Sequence, residues 1–570
     1  MKIVLKMKIY LVTSALPYAN GPIHPGHLVG AYLPADIYTR HLRLNGEKVI
    51  HISGSDEHGV AIMLNAQKAG KDFSEYVDFW HNEHKRIFEK FEVDFNFFGQ
   101  THLPYHKEEV LLWFKDLHDK GFIEPEDNQQ LFCNDCKNHL PDRFVEGTCY
   151  KCGYGAARGD ECPNCGIWID PIKLISPVCK ICGSKNISPV TVTQWYLRLS
   201  KFHQKFRTWF ESKQSTWRHT VYPFVDALTK EGLQDRAITR DLKWGIDVPL
   251  PEAAGKKLYV WFDAPIGYVS NTKKYLEEIG SSEHYLSDWW KNKDTEIVHF
   301  LAKDNIIFHA VIFPMMSMAS GRINPPTDIP ANQYLTLEGK QFSKSAGWYI
   351  DLEKAHGQFG ADLLRYYLIS IMPETSDSSF SWKDFALKIN GELANNIGNL
   401  LTRCLKFFEK NWPEGISDIP AFSSTDLGKK FKLEIEEHQK FLNHKEFKKG
   451  LEKVMSLGHA TNLFFSDAAP WAQFKVNPEL AAKTIGETSL AIMVLGVLFS
   501  PYLPGFSEKM LRHFNVILGP EDKEKIYKGD FSSLDKITSL KIVYSPIALV
   551  PKIEDSVVAD LEANLIPQGI

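Results

Sequence analysis

Absences bound this 570-residue chain before any motif is read. It has no run of 18 consecutive apolar residues, so composition predicts no membrane-spanning helix. Neither sign of charge dominates: 66 lysines and arginines face 70 aspartates and glutamates. A nucleic-acid partner would therefore have to be met by local patches rather than by a basic surface. No low-complexity tract and no repeat longer than a cysteine pair is present. The opening MKIVLKMKIYLVTSAL lacks the unbroken apolar core of a signal peptide, because Lys6 and Lys8 interrupt it. It reads as a first β-strand, and the protein is expected to be cytoplasmic. Cysteine is confined: of nine, only Cys404 lies outside residues 133–182, in an apolar helical stretch where it reads as a small core residue.

What is present reads first as α/β. An apolar strand, Ile9 to Val12, runs into ALPYANGPIHPGH, whose prolines and glycines suit a turn rather than a core. A helical pattern follows through Val29, Leu33, Ile37 and Leu44, with Pro34 expected to kink or loosen it and Asn45-Gly46 to stop it. EKVIHISGSDEHG is a second strand ending in a polar turn, which completes a parallel βαβ unit. Further strand candidates are KLYVWFD and TEIVHFLAKD. From about residue 390 long helical segments with short breaks predict a bundle.

Eight cysteines form four Cys-x-x-Cys knuckles, at 133/136, 149/152, 162/165 and 179/182. In a cytosolic chain such knuckles are zinc ligands rather than disulfides. Four knuckles make two four-cysteine sites and can combine in three ways. Loop-closure entropy varies too slowly with length to choose between them.

Ligands of a parallel sheet bind beyond the carboxyl ends of its strands, where helix N-termini offer N–H groups. The turn Pro17–His27 sits at such a place, with Pro25 suited to the first helical position and His24 and His27 projecting from it. Far along the chain, EGKQFSKSAG is a Ser/Lys/Gly loop that suits a phosphate clamp. Together HPGH and QFSKS resemble the H-I-G-H and K-M-S-K-S signatures of class I aminoacyl-tRNA synthetases. ALPYANGPIHPGH, GSDEHG, YVWFDAPIGY, KDNIIFH and GADLLRYYL, in that order, resemble the methionyl-tRNA synthetase family over residues 8–550. Two positions depart: the first lysine of the loop signature is Gln341, preceded by Lys340, and the arginine that often follows it is Ala346.

The resemblance implies a class I Rossmann-like parallel-sheet catalytic domain with a zinc-binding insertion, followed by an α-helical bundle that binds the anticodon. The expected divisions are 1–125 for the first catalytic half and 126–190 for the zinc-knuckle insertion. Residues 191–333 hold the rest of the insertion and the second catalytic half, and 334–390 the signature-loop region. The bundle would take 391–547, and 548–570 a weakly packed tail. The implied reaction activates L-methionine with ATP and Mg2+, then charges methionine tRNA. No protein nucleophile is needed, so positioning and charge stabilisation should carry catalysis.

Residue by residue, the resemblance makes His24, His27 and Lys344 catalytic. ATP would meet Pro17, Tyr18, Asn20, Gly21, Gly26, Ser343 and Ser345 together with those three. Methionine would meet Asp56 through its ammonium, and Ala15, Leu16, Tyr18, Trp261, Ala264, Pro265, Tyr268 and His309 around its thioether, with the Tyr268 hydroxyl as a donor. It favours a nested pairing of the knuckles: Cys149, Cys152, Cys162 and Cys165 in one structural zinc site, and Cys133, Cys136, Cys179 and Cys182 in the other. The anticodon would be read by Asn399, Arg403 and Trp471. Taken alone, Trp471 reads as a core tryptophan and Asn399 as a buried helix contact. A monomer is expected, since the chain stops where the dimerising C-terminal domain of many relatives would begin. Two rival readings are weighed. Class I synthetases for valine, isoleucine or leucine need an editing insertion for which there is no room. A non-catalytic zinc-knuckle RNA-binding relative has only Gln341 in its favour.

Overall fold

The computed structural model describes residues 8–159, 161–165, 167, 169–343, 347–544 and 549–565. Strands β1 (Ile9–Ser14), β2 (Lys48–Ser55) and β3 (Phe97–Gln100) open the chain. A long antiparallel ribbon, β4 (Ile123–Cys133) with β5 (Ile187–Leu197), then projects from the sheet. Strands β6 (Thr295–Ala302) and β7 (Ala331–Asn332) complete a five-stranded sheet of order β7-β6-β1-β2-β3, parallel throughout. β1 and β2 become fully buried toward their carboxyl ends, as a sheet covered on both faces requires. From β1 the chain moves to β2 on one side and later returns to β6 on the other. The crevice beyond β1 is thus a topological switch point, and the turn Ala15–His27 lies in it.

The helix after that turn begins at Pro25, is wound as a π-helix over Leu28–Tyr32, and continues as α1 (Leu33–Leu44). Pro34, which has no N–H to give to the preceding turn, sits in the first turn of α1, so the looser winding takes up the expected kink. KLYVWFD is not the expected strand. Only Lys257–Leu258 pairs, with Thr239–Arg240, and Val260–Asp263 turns helical ahead of Pro265. A short apolar run does not distinguish the two states by itself. Here burial of Val260, Phe262 and Asp263 on one side of a turn decides it.

Helix α2 (Phe73–Lys90) flanks the sheet, and α3 (Leu352–Ser370) follows the signature loop. The bundle contains α4 (Asn399–Asn411), α5 (Asp426–Asn443), α6 (Phe447–Ala468), α7 (Pro470–Val476) and α8 (Pro478–Phe499). α4 is amphipathic, burying Leu400, Leu401, Cys404, Leu405 and Phe408, which bears out Cys404 as a core residue. α8 is long and apolar enough to cross a membrane, but 83% of its apolar window is buried inside the fold, so it is the bundle's central helix. The segment expected as a weakly packed tail contains helix α9 (Asp555–Ala563). It is tied down: Val550, Ile553, Val558 and Leu565 are buried, and Asn390 exchanges two hydrogen bonds with the Ile553 backbone, at 2.8 and 2.9 Å.

Candidate functional site

The signature turn builds its own geometry. His24 is the N-cap residue of the helix that opens at Pro25, and its Nδ1 accepts a hydrogen bond from the Gly26 N–H at 3.1 Å. His27 reciprocates, its Nδ1 accepting the His24 N–H at 3.1 Å. Each neutral ring must then carry its proton on Nε2, the atom left for a ligand. The two rings lie 3.7 Å apart between centroids. A Cβ on Gly26 would stand 2.9 Å from His24 Cε1, so any larger residue there would push the His24 ring out of place. Burial holds His24 down at about 4, and His27, exposed at the surface, lines the cleft. Desolvation and the neighbouring His24 and His84 keep His27 well below the ordinary imidazole value. Both rings are neutral donors at neutral pH.

The cleft they border has a volume of about 490 Å3 and is lined by Ala15, Leu16, Pro17, Tyr18, Gly26, Asp56 and Trp261, among others. Asp56, just past the end of β2, has a buried Oδ1 with no hydrogen-bond partner. Burial, then the charges of Asp263 and Glu57, push its carboxyl well above the usual range, only partly offset by the His58 N–H. Such an oxygen lacks a cation or a donor. Asn20 and Gly21 lie on the far side of the turn, lining a separate pocket with His24 and Phe342, and Asn20 Oδ1 accepts from Asn65 at 2.8 Å.

Behind the cleft, Tyr268 and His309 are almost wholly buried. His309 Nδ1 lies 3.0 Å from the Asn305 carbonyl, which can only accept, so its Nε2 is a lone pair and takes the Tyr268 hydroxyl proton at 2.7 Å. This corrects the expected donor: the Tyr268 proton is committed inward, and its oxygen can only accept from a ligand. Pro265 is buried and Ala264 half-buried in the turn before Tyr268, and Leu16 packs against Gly267.

Sequence reading missed a polar network under this site. His58 is 2.6 Å from Asp263, and His106 Nε2 is 3.6 Å from the same carboxylate. Although burial raises Asp263, the charge and hydrogen bond of His58, with His106 close by, hold it below its ordinary value. Glu57 is likewise kept low against burial by His102 at 2.6 Å. Arg143 from the insertion and Asp304 and Asn305 also line the cleft. Glu57 and His58 adjoin Asp56 in GSDEHG, and charged residues at the end of a buried strand were the available signal.

The signature loop reaches the site through Phe342, stacked on His24 at 4.9 Å and 14°. Ser343 and Trp348 pair their backbones at 2.7 and 2.9 Å to form the loop's neck. Lys344 and Ser345 lie outside the described residues. The ammonium of Lys340, the neighbour of Gln341, rests over the Trp348 ring at 5.1 Å.

The eight cysteines gather in the nested arrangement, Cys133, Cys136, Cys179 and Cys182 in one group and Cys149, Cys152, Cys162 and Cys165 in the other. Sulfur separations of 3.6 to 4.0 Å are far from a disulfide. They match the edge of a tetrahedron of Zn–S bonds, about 3.8 Å for bonds of about 2.3 Å. Register explains the outer group: Cys133 stands opposite Ile187, so the ribbon brings the chain back beside Cys179 and Cys182.

In the bundle Asn399 is exposed and Trp471 is 42% exposed. The Arg403 guanidinium lies over the rings of Phe465 and Trp471, at 5.2 and 5.4 Å. The core readings of Trp471 and Asn399 therefore fail, and half-buried Arg403 lies one turn along α4 from Asn399 and against Trp471.

A family model described as tRNA synthetases class I (M) matches residues 10–405, and one described as the anticodon binding domain of methionyl tRNA ligase matches 413–566. A methionine–tRNA ligase of Rubrobacter xylanophilus is 38% identical over 98% of this chain and 96% of its own. One from Pyrococcus furiosus is 42% identical over 89% of this chain and 72% of its own. Among solved structures, a Mycobacterium tuberculosis methionyl-tRNA synthetase in complex with methionyl-adenylate aligns with a TM-score of 0.76. It is 22% identical, over 96% of this chain and all of that one, so this likeness concerns the fold.

Proposed function

The chain belongs to the methionine–tRNA ligases of the class I synthetases, and from that premise we propose that it activates L-methionine with ATP and charges methionine tRNA. The observation that carries this reading is a buried, unpartnered Asp56 oxygen in the same cleft as two neutral histidine donors. The carboxylate takes the amino acid's ammonium. Leu16, Tyr18, Trp261 and Ala15 hold its side chain, with Ala264, Pro265, Tyr268 and His309 behind them.

The bound carboxylate then attacks the α-phosphorus of ATP, which enters as its Mg2+ complex. A new C–O–P bond forms, the Pα–O–Pβ bond breaks, and pyrophosphate leaves. His24 and His27 donate Nε2–H bonds to phosphate oxygens as charge shifts there, at no cost in added permanent charge. Pro17, Tyr18, Gly21 and Gly26 shape the nucleotide's approach and Asn20 supports the turn. Lys344, flanked by Ser343 and Ser345, meets the departing pyrophosphate. The two four-cysteine groups would each hold a zinc ion. Four thiolates leave no open coordination position, so the metal would stiffen the insertion. Asn399, Arg403 and Trp471 read the anticodon by stacking and edge contacts. The enzyme works as a monomer in a reducing, cytosolic setting that keeps its thiols free.

Amino-acid-dependent ATP–pyrophosphate exchange tests the assignment. Exchange should occur with methionine and not with valine, isoleucine or leucine. Exchange with one of those three would assign the chain another amino-acid specificity within class I. Tight tRNA binding with no exchange at all would make it a non-catalytic relative.

A further inference from the structure

Two segments far apart in the chain build the two ends of the signature cleft, and one buried carboxylate ties them together. Asp263 ends the short helix Val260–Asp263, two residues after Trp261 and next to Ala264 and Pro265. Its side chain is almost wholly buried and does not line the cleft. Asp263 Oδ2 lies 2.6 Å from His58 Nδ1, 205 positions away in the chain. An ionised carboxylate can only accept, so His58 carries its proton on Nδ1 and donates it there. His106, on the helix Pro104–Asp119, brings its Nε2 to 3.6 Å from the same oxygen and is held from its other side by Ser270 at 2.8 Å. Neither histidine lines the cleft. The three side chains can therefore act on a ligand only through the residues they hold.

On the His58 side the residue held is Asp56, two positions earlier. Its backbone is pinned to the signature turn, its N–H donating to the Pro17 carbonyl at 2.9 Å and its carbonyl accepting the Ala19 N–H at 2.8 Å. Its carboxylate is met by the backbone N–H of His58. The next residue, Gly59, has a φ of 112°, and a Cβ there would stand 2.6 Å from the Tyr18 hydroxyl, so the chain has one way out of this turn. Locking the His58 ring to Asp263 keeps that N–H aimed at Asp56. On the other side, the same lock fixes where Trp261, Ala264 and Pro265 stand. We propose that Asp263 is a positioning residue for methionine activation, which sets the ammonium end of the site at a fixed span from its thioether wall. The inference rests on the reaction proposed above and adds the residue that joins the two ends of its amino-acid site. A charge-assisted bond suits this task, because it is shorter and stiffer than a bond between neutral groups.

Asp263→Ala removes both the acceptor and the charge, and Asp263→Asn keeps an acceptor for His58 while removing the charge. In methionine-dependent pyrophosphate exchange the alanine variant should raise the methionine KM by about tenfold or more, the worth of one hydrogen bond to a charged group, with the ATP KM unmoved. Asparagine should recover most of that loss. It should also carry a signature that a merely structural role would not move. The charge of Asp263 opposes ionisation of Asp56, so without it methionine affinity should level off at a lower pH than in wild type. Glu57, Tyr18, His58 and His106 face the same pair of carboxylates, with His102 on Glu57, and are common to both proteins. Isothermal titration with methionine across the pH range reads this directly. The role is overturned if the two variants are equally impaired, if the loss falls on ATP or on kcat with the methionine KM unchanged, or if Asp263→Asn levels off at the wild-type pH. Should Asp263→Ala not fold, the levelling pH of the asparagine variant decides alone. Wild-type protein that binds methionine but exchanges nothing would instead sink the proposed reaction, and the same calorimetry would still report on Asp263.

Discussion

At the scale of single residues, protonation states do the work. Asp56 pays for burial and for two acidic neighbours, and its carboxyl titrates well above the ordinary range in the free protein. Only its ionised form pairs with an ammonium. The sign follows: methionine affinity should rise with pH through that raised pKa, approaching tenfold per unit below it, and then level off. Binding in that window should release up to one proton. Isothermal titration in buffers of different ionisation enthalpy reads both effects, and Asp56→Asn should abolish them together with most of the affinity. A flat profile in the native protein would mean that the ammonium is met elsewhere. His24, held at about 4 by burial, should contribute no inflection between pH 6 and 8. The Tyr268–His309–Asn305 chain has a related consequence: a thioether gains apolar contact and polarisable neighbours here rather than a hydrogen bond from Tyr268.

At the scale of elements, the insertion and the bundle each present a prepared face. The β4–β5 ribbon closes its knuckles into two groups whose sulfurs already stand at coordination spacing. Purified protein should therefore carry up to two zinc ions by elemental analysis. Cys149→Ser should lower that count and make the insertion the first segment to lose hydrogen-exchange protection. Metal-free protein with oxidised cysteines would contradict the structural-metal reading. In the bundle, Ala469 takes a left-handed φ of 45° between α6 and α7, the turn that sets Trp471 beside Arg403. Trp471→Ala should remove roughly 1–3 kcal/mol of base stacking, seen as lost kcat/KM for tRNA while pyrophosphate exchange is spared. An altered anticodon should cost wild type the same, and the two losses should not add. A parallel fall in exchange and melting temperature would make Trp471 structural after all.

At the scale of the whole molecule, α3 joins the parts through Arg365, which is fully buried. Its guanidinium pairs with Asp36 of α1 at 2.7 Å and donates to the Phe91 and Tyr502 carbonyls, each at 2.7 Å. One side chain thus links the signature helix, the end of α2 and the bundle. Arg365→Met leaves Asp36 with Arg40 as its remaining cation and strands the Phe91 and Tyr502 carbonyls, and should destabilise by about 3–5 kcal/mol. Adding Asp36→Asn should cost less than the two single losses summed, because they break one network. Chemical denaturation monitored in both domains would show it. Additive losses would mean that the pair is not the joint. Contact between the halves also runs through His41, whose ring nitrogens meet Tyr527 at 2.9 Å and Asn443 at 3.0 Å.

The sequence by itself determined what is local. Strand–turn–helix punctuation located the signature turn, with Pro25 in the first helical turn and Gly26 where a Cβ would strike His24. Cys-x-x-Cys spacing marked the eight cysteines that gather into two four-sulfur groups, and helical periodicity marked the bundle, because such patterns are written in neighbouring residues. Tertiary structure alone decided what depends on distant partners. The cysteine pairing waited on the ribbon's register, since closure entropy barely separates the alternatives. The direction of the Tyr268 proton waited on a carbonyl 37 positions away, at Asn305. The exposure of Trp471, the helical turn of VWFD and the docking of α9 on Asn390 were settled by what packs against each segment, and packing partners are not written in the segment itself.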